Sequence, residues 1–188
     1  MVTGSASGIG SAVAVRLANE GLDTIVNYSQ SADSASDTAE KCTAAGSDTL
    51  LAQCDVSKEA GVENMLDDIE KKYGRLDVVV NNAGTSISTL AKDFDKVSEE
   101  EFDRVLAVNV KGMFLVAKHS KALLNKGVDP CIINTASIVG LRPGPQPLPY
   151  SASKAAVISM TQSLSFALGP KVRVNAVAPG WMEGEWME

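Results

Sequence analysis

TGSASGIG, residues 3–10, opens directly into a helical pattern that carries Ile9, Val13 and Leu17 on one face and ends at Gly21. Glycines at these spacings let the backbone turn tightly and approach another group closely. The free N–H groups and the dipole of a helix start attract the charge of a phosphate. The stretch therefore predicts a loop that binds a pyrophosphate, although a glycine-rich loop alone also occurs as an ordinary turn.

Five apolar runs of strand length follow this loop, and each is bounded by polar residues or by glycine. They are Thr24–Tyr28, Thr49–Gln53, 77–81, Cys131–Thr135 and 172–178. Nearly continuous apolar runs are typical of strands that are buried on both faces. We therefore expect helices to cover both sides of the sheet.

Helical patterns alternate with these runs. The pattern that begins at Val62 ends at Gly74, and Ser98 with Glu101 forms a capping box before the next helix. Alternation of strands and helices calls for right-handed βαβ crossovers. The sequence thus predicts an α/β fold with a doubly wound parallel sheet flanked by helices, in a single dinucleotide-binding domain over residues 1–188.

Composition excludes several classes of partner. The 188 residues are 45% hydrophobic, which is enough for one compact core. The 17 basic and 23 acidic residues are interspersed, which argues against nucleic acid and anionic membrane surfaces as partners. No apolar run reaches the roughly 20 residues that span a bilayer. The three cysteines form no CxxC pair, so we predict no metal site and expect a cytoplasmic location.

Four polar residues are candidates for chemistry. YSASK, residues 150–154, places Tyr150 and Lys154 four apart and so on one helical face. Ser137 follows a strand and lies thirteen residues before Tyr150. Asn109 lies in a helical pattern although asparagine is a poor helix former, which indicates a specific role. A surface Tyr–Lys pair and a turn-forming serine are the ordinary alternatives.

The order of the motifs along the chain carries a family resemblance. TGSASGIG, NNAG (residues 81–84), Asn109, Ser137, YSASK and PG (residues 179–180) together resemble the short-chain dehydrogenase/reductase family, including members of the 3-oxoacyl-(acyl-carrier-protein) reductase type. The resemblance covers nearly the whole chain. It implies a Rossmann fold and hydride transfer between NAD or NADP and a carbonyl or secondary alcohol.

The resemblance also assigns roles in catalysis. It implies that Tyr150 is the general acid and base and that Ser137 stabilises the substrate oxygen. Asn109 would hold a water that links Lys154 to solvent. The Lys154 ammonium and the charge of an oxidised nicotinamide would lower the pKa of Tyr150 from about 10 toward the working range. The predicted catalytic residues are Ser137, Tyr150, Lys154 and Asn109.

The nucleotide would lie along the carboxyl ends of the strands. The end of the 24–28 run has no carboxylate to bind the ribose 2′-hydroxyl of NAD, and Ser29 can donate to a 2′-phosphate. NADP is therefore favoured, and NAD stays open because no Arg or Lys is present there. Asp55 matches the family position that meets the adenine amino group, or it is a turn-forming aspartate. The predicted cofactor-binding residues are Gly4, Ser7, Gly8, Ile9, Gly10, Ser29, Asp55, Val56, Asn82, Ala83, Gly84, Tyr150, Lys154, Pro179 and Gly180.

The chain departs from the family pattern at both ends. Only Met1 and Val2 precede the glycine loop, so we expect the first strand to be present in part. The run WMEGEW, residues 181–186, lacks the threonine that commonly contacts the cofactor in the family. The family's substrate-covering helices and last strand would follow this run. We therefore expect either that the chain is a fragment or, if it is complete, that the lid and much of the substrate pocket are absent.

An oxidoreductase that acts on a small-molecule carbonyl or alcohol is the leading hypothesis. A 3-oxoacyl thioester, a sugar and a secondary alcohol all remain possible substrates. The alternative is a non-catalytic nucleotide-sensing or scaffold protein on the same fold, whereas a purely structural partner would bind no nucleotide. The resemblance further implies a homodimer or homotetramer that forms through two long helices, here represented by the segments 98–119 and 151–168.

Overall fold

The computed structural model describes residues 1–181. Most of the WMEGEW run lies outside these described residues. The strands are β1 (Thr24–Tyr28), β2 (Thr49–Gln53), β3 (Val78–Asn81), β4 (Cys131–Thr135) and β5 (Arg173–Val177). The helices are α1 (Gly8–Asn19), α2 (Ala32–Ala44), α3 (Glu59–Tyr73), α4 (Glu99–Leu106), α5 (Met113–Asn125), α6 (Ile138–Leu141) and α7 (Leu148–Leu168).

All strand pairs are parallel, with β2 beside β1 and the order β3-β4-β5 in the other half of the sheet. Val2 lies between the halves and bridges to Val26 of β1 and to Val80 of β3. When Val2 is counted as the first strand, this is the doubly wound Rossmann order. The predicted α/β class and the partial first strand are confirmed.

Helices cover the two faces of the sheet separately. On one face, Ala14 and Ala18 of α1 and Ala39 of α2 pack against Val26 and Val80. On the opposite face, the larger core joins apolar residues of α3 and α5 to the sheet; these include Val62, Ile69, Leu115, Leu124, Val79 and Ile132. Among residues 1–181, none of the helices has both the length and the apolar content for crossing a membrane.

The expectation of burial on both faces is correct for β1 and wrong for β2 and β5. Leu51 of β2 is 42% exposed and Val177 of β5 is 50% exposed. The reason lies in position, because both strands are at an edge of the described sheet. The apolar cluster that α1 and α2 form with the sheet includes residues of β1, β3 and β4 but none of β2 or β5.

Helix ends follow the predicted local chemistry, with one exception. Gly74 ends α3 in the left-handed region at φ +71°, and the Ser98–Glu101 capping box is present at the start of α4. The segment 98–119, expected to be one helix, instead contains a π-helical turn at Ala107–Gly112 between α4 and α5. Asn109 lies in this turn, and its side chain forms hydrogen bonds with residues far away along the chain.

Replacement of Ser98 by alanine should lower the free energy of unfolding by about 1 kcal/mol, because the Ser98 hydroxyl accepts from the Glu101 N–H at 3.2 Å and alanine leaves that donor unpaired. Urea unfolding measures the effect. Ser159→Ala, at an exposed interior position of α7, is the matched control and should not destabilise the protein. Equal unfolding midpoints for S98A and the unaltered chain would contradict the assigned cap.

Candidate active site

The glycine loop packs closely against the loop that follows β3. Gly4 has φ +60°, and a Cβ there would lie 2.7 Å from the Ala83 Cα. A Cβ on Gly10 would lie 2.6 Å from the side-chain Nδ2 of Asn82 and would also contact the Gly4 carbonyl oxygen. By contrast, a Cβ on Gly8 would meet no atom of residues 1–181 within 4 Å. The start of α1 is therefore open on the side where Gly8 faces outward.

Hydrogen bonds fix the same two loops to each other. The Thr3 hydroxyl accepts from the backbone N–H groups of Asn82 and Ala83, both at 3.0 Å. The Asn82 side chain donates to the carbonyls of Thr3 and Gly4 at 3.1 and 3.0 Å. The predicted residues Gly4, Gly10, Asn82 and Ala83 are thus brought together by the fold.

Asn27 is a site residue that the sequence reasoning missed. It is 1% exposed at the end of β1, and its Oδ1 accepts from the Gly4 N–H at 3.1 Å. Its amide nitrogen donates to the carbonyls of Ala52 and Cys54. One side chain therefore joins the glycine loop to the end of β2. The available signal was a polar residue inside an otherwise apolar strand pattern.

Ser29 and Asp55 lie at the carboxyl ends of β1 and β2 and are exposed. The Asp55 carboxylate accepts from the Ser57 N–H at 2.9 Å, so it does form a local turn. Its neighbour Val56 is buried in the core, where a Cβ on Gly112 would lie 2.8 Å from the Val56 side chain. Ser29, Asp55 and Val56 therefore lie beside the carboxyl ends of β1 and β2, whereas Tyr150 lies in α7 near the carboxyl end of β4.

Ser137 and Tyr150 meet at the carboxyl end of β4. Ser137 follows β4, precedes α6 and is 9% exposed, and its Oγ accepts from the Val139 N–H at 3.4 Å. Tyr150 lies in the first turn of α7 and is half-buried. Burial raises the pKa of Tyr150, and a hydrogen bond with the Ser137 hydroxyl opposes that rise. The predicted serine–tyrosine pair is therefore brought into contact.

Lys154 lies one turn after Tyr150 and is 4% exposed. Its ammonium donates to the Thr135 carbonyl at 2.7 Å, which ties α7 to the end of β4. The Nζ lies 5.6 Å from the centre of the Tyr150 ring. Burial lowers the pKa of Lys154 to about 8, because removal from water disfavours the charged form.

The direction of the Tyr150 pKa differs from the expectation. We expected the Lys154 ammonium to lower it, but burial dominates and raises it in the protein alone. The same burial reduces the tendency of Lys154 to carry its charge. The expected lowering of the Tyr150 pKa also included the positive charge of an oxidised nicotinamide. That charge is part of the nucleotide and not of the chain.

Asn109 lies in the π-helical turn and is 1% exposed. Its Oδ1 accepts from the Thr85 N–H at 2.8 Å, and its Nδ2 donates to the Thr85 carbonyl at 2.9 Å. Nδ2 also donates to the Ser153 hydroxyl at 2.9 Å. The residue predicted on a helix is therefore a junction between the loop after β3 and helix α7.

The residues of the candidate site converge at the carboxyl ends of the strands. A Cβ on Gly84 would lie 3.5 Å from the Asn109 Oδ1 and 3.7 Å from the Lys154 Nζ, so these three residues are neighbours. The Pro179 carbonyl accepts from the Ile138 N–H at 3.0 Å, which places the PG turn beside Ser137. Ligands of open α/β sheets bind at this edge, outside the carboxyl ends of the strands.

Comparison with known proteins identifies the family of this chain. The family model described as short chain dehydrogenase matches residues 1–188. The 3-oxoacyl-(acyl-carrier-protein) reductase FabG of Staphylococcus epidermidis is 36% identical over 183 residues, which are 97% of this chain and 74% of the relative. The chain spans from 66% to 74% of the length of the similar curated proteins.

Two solved structures have the same fold over almost the whole chain. NAD⁺-bound xylitol dehydrogenase is 31% identical with a TM-score of 0.92, over 99% of this chain and 71% of that one. A short chain dehydrogenase from Burkholderia cenocepacia J2315 in complex with NADP is 33% identical with a TM-score of 0.91, over 98% of this chain and 74% of that one. The chain therefore belongs to the short-chain dehydrogenase family of oxidoreductases.

Proposed function

We propose that residues 1–188 form one dinucleotide-binding domain that transfers hydride between NADP or NAD and a small-molecule carbonyl or secondary alcohol, with Tyr150 as general acid and base. One observation carries the proposal. The Tyr150 hydroxyl is hydrogen-bonded to Ser137, and its ring lies 5.6 Å from the Lys154 ammonium. A phenol, a second hydroxyl and a buried amine at the nucleotide-binding edge of the sheet suit proton transfer to a carbonyl oxygen.

The glycine loop fits a dinucleotide. Gly8 leaves the start of α1 open, and Ser7 precedes the helix without using its hydroxyl as a cap. The free N–H groups there would hold the pyrophosphate. When bound, the nicotinamide cofactor supplies or accepts the hydride. The other residues that would contact the nucleotide are Gly4, Ile9, Gly10, Ser29, Asp55, Val56, Asn82, Ala83, Gly84, Tyr150, Lys154, Pro179 and Gly180.

The chain's own residues supply the proton chemistry. Because burial raises the pKa of Tyr150, its hydroxyl keeps its proton near neutral pH and can donate it to a carbonyl oxygen during reduction. The Ser137 hydroxyl donates a hydrogen bond to the same oxygen as negative charge develops. Lys154 is mainly charged at pH 7, since its pKa is about 8, and its charge stabilises the phenolate that is left.

Replacement of Tyr150 by phenylalanine should lower turnover by at least about 100-fold, because the general acid is removed. The measurement is the oxidation of NADPH and NADH with a 3-oxoacyl thioester and a panel of ketones, and the reduction of NADP⁺ and NAD⁺ with sugars and secondary alcohols. Nucleotide binding, measured by calorimetry, should be largely retained.

Tyr73→Phe is the matched control. Tyr73 also lies beside a lysine, with the Lys72 Nζ 4.9 Å from its ring, but it belongs to α3 and donates to the Asp48 carbonyl. This variant should keep normal turnover. If the unaltered protein binds nucleotide tightly and turns over no compound of the panel, a nucleotide-sensing or scaffold protein is the better interpretation.

We propose a preference for NADP over NAD. The end of β1 offers the exposed Ser29, and residues 26–30 contain no carboxylate that would repel a 2′-phosphate, so one hydroxyl can donate to such a phosphate. The similarity to the 3-oxoacyl-(acyl-carrier-protein) reductase of Staphylococcus epidermidis supports a 3-oxoacyl thioester as one candidate substrate class.

Ser29→Asp should shift the preference toward NAD. A carboxylate at this position repels the 2′-phosphate and accepts from a ribose hydroxyl, so the ratio of kcat/KM for NADPH to that for NADH should fall about 10-fold or more. Ser29→Asn, neutral and similar in shape, separates charge from size. Similar ratios in the two variants, or a preference of the unaltered protein for NADH, would count against the assignment.

We propose a homodimer or homotetramer formed through the segments 98–119 and 151–168. Phe114 of α5 is 46% exposed and Phe166 of α7 is 89% exposed, so both helices present apolar side chains at the surface.

The three cysteines are buried and free in the structure. They fit a reducing compartment, and we propose a cytoplasmic location.

Phe166→Lys should reduce the molar mass in solution to that of a smaller assembly, because a charge would be buried in the contact between subunits. Light scattering during size-exclusion chromatography measures the mass. Val128→Lys changes a residue that is 67% exposed in a loop outside the two segments, and it should leave the assembly intact. A monomeric unaltered protein would refute the proposed assembly.

A further inference from the structure

Ser153 makes a connection that neither the motif spacing nor the proposed chemistry uses. It lies in α7 between Tyr150 and Lys154 and is fully buried. Its hydroxyl donates to the Tyr150 carbonyl at 2.7 Å and accepts from the Asn109 Nδ2 at 2.9 Å. A single hydroxyl thus links the helix that carries Tyr150 to the π-helical turn.

Asn109 is held equally firmly on its other side. Its Oδ1 accepts from the Thr85 N–H and its Nδ2 donates to the Thr85 carbonyl, at 2.8 and 2.9 Å. Both N–H bonds of the amide are therefore used, one toward Thr85 and one toward Ser153. A flipped amide would lose these bonds, so the side chain has one satisfied orientation.

The backbone around Asn109 is unusual as well. Residues 107–112 form a π-helical turn, which is rare and is frequently found at functional sites. Gly84 lies beside both the Asn109 Oδ1 and the Lys154 Nζ. A displacement of Asn109 would therefore alter the space around the lysine ammonium.

We propose that Ser153 is a positioning residue, whose hydroxyl holds Asn109 and the first turn of α7 in the one arrangement that places Tyr150 and Lys154 beside the loop after β3. The effect on turnover rests on the proposed function. The positioning itself concerns hydrogen bonds that exist whether or not the protein is a catalyst.

Loss of this hydroxyl has a specific consequence. In Ser153→Ala, one N–H of the buried Asn109 amide has no acceptor, so the amide and the π-helical turn become mobile. Water then reaches Lys154 more easily. Because burial lowers the pKa of Lys154 to about 8, a better-hydrated ammonium has a higher pKa.

The test compares three variants: Ser153→Ala, Ser153→Thr and Ser151→Ala. Ser151 is also a buried serine of α7, and its Oγ has no hydrogen-bond partner among the described residues, so it is the matched control. S153A should lower kcat about 10-fold with little change in the KM for the nucleotide, and the alkaline limb of its pH–rate profile should move to higher pH. S151A should match the unaltered protein, and S153T, which keeps the hydroxyl, should recover most of the loss.

Amide hydrogen exchange supplies a readout that needs no turnover. The Thr85 N–H donates to Asn109, so its exchange should be about 10-fold faster in S153A and unchanged in S151A. Absence of turnover in the unaltered protein would count against the proposed function. The exchange rate of the Thr85 N–H would then still decide whether Ser153 is a positioning residue. Normal Thr85 exchange in S153A, or equal effects of S153A and S151A on exchange or kcat, would overturn the positioning role.

Discussion

The two halves of the sheet meet at residues 1–5, and the geometry of the site depends on that junction. On one side the Val2 N–H donates to the Ile25 carbonyl at 3.0 Å, and on the other the Thr3 N–H donates to the Val80 carbonyl at 2.9 Å. Crossovers run in opposite directions from this point, which opens the carboxyl edge of the sheet. The glycine loop leaves the sheet there, so the start of α1 and the loop after β3 share one wall of the site.

Burial governs the electrostatics of the candidate catalytic residues Tyr150 and Lys154. It lowers the pKa of Lys154 and raises the pKa of Tyr150, and both shifts favour the neutral form. The site therefore holds a protonated phenol beside an amine with a weakened hold on its proton. In such a poorly hydrated position a nearby charge acts strongly, because water screens it less. Loss of the Tyr150 proton leaves a phenolate, which burial disfavours, so it depends on positive charge close by.

Asparagine side chains connect the segments that build the site. Asn27 joins the glycine loop to the end of β2, Asn82 joins it to the loop after β3, and Asn109 joins that loop to α7. An amide suits this task because it carries an acceptor and two donors, and can therefore satisfy backbone groups of two segments at once. Buried amides of this kind specify a unique arrangement more strongly than apolar contacts do, since any other arrangement leaves a polar group unpaired.

The sequence by itself determined the alternation of strands and helices, the glycine loop and the Ser98 cap, because periodicity and turn chemistry are local properties of the chain. The order of its motifs also carried the family resemblance that named the candidate catalytic residues. Tertiary structure alone decided that Leu51 and Val177 are exposed, that Asn109 lies in a π-helical turn, that Asn27 holds the glycine loop, and that burial raises the pKa of Tyr150. Each of these depends on groups far away along the chain, such as the Thr85 backbone for Asn109 and Gly4 for Asn27. No local pattern encodes which distant segment will cover a strand, accept a hydrogen bond or exclude water from a side chain.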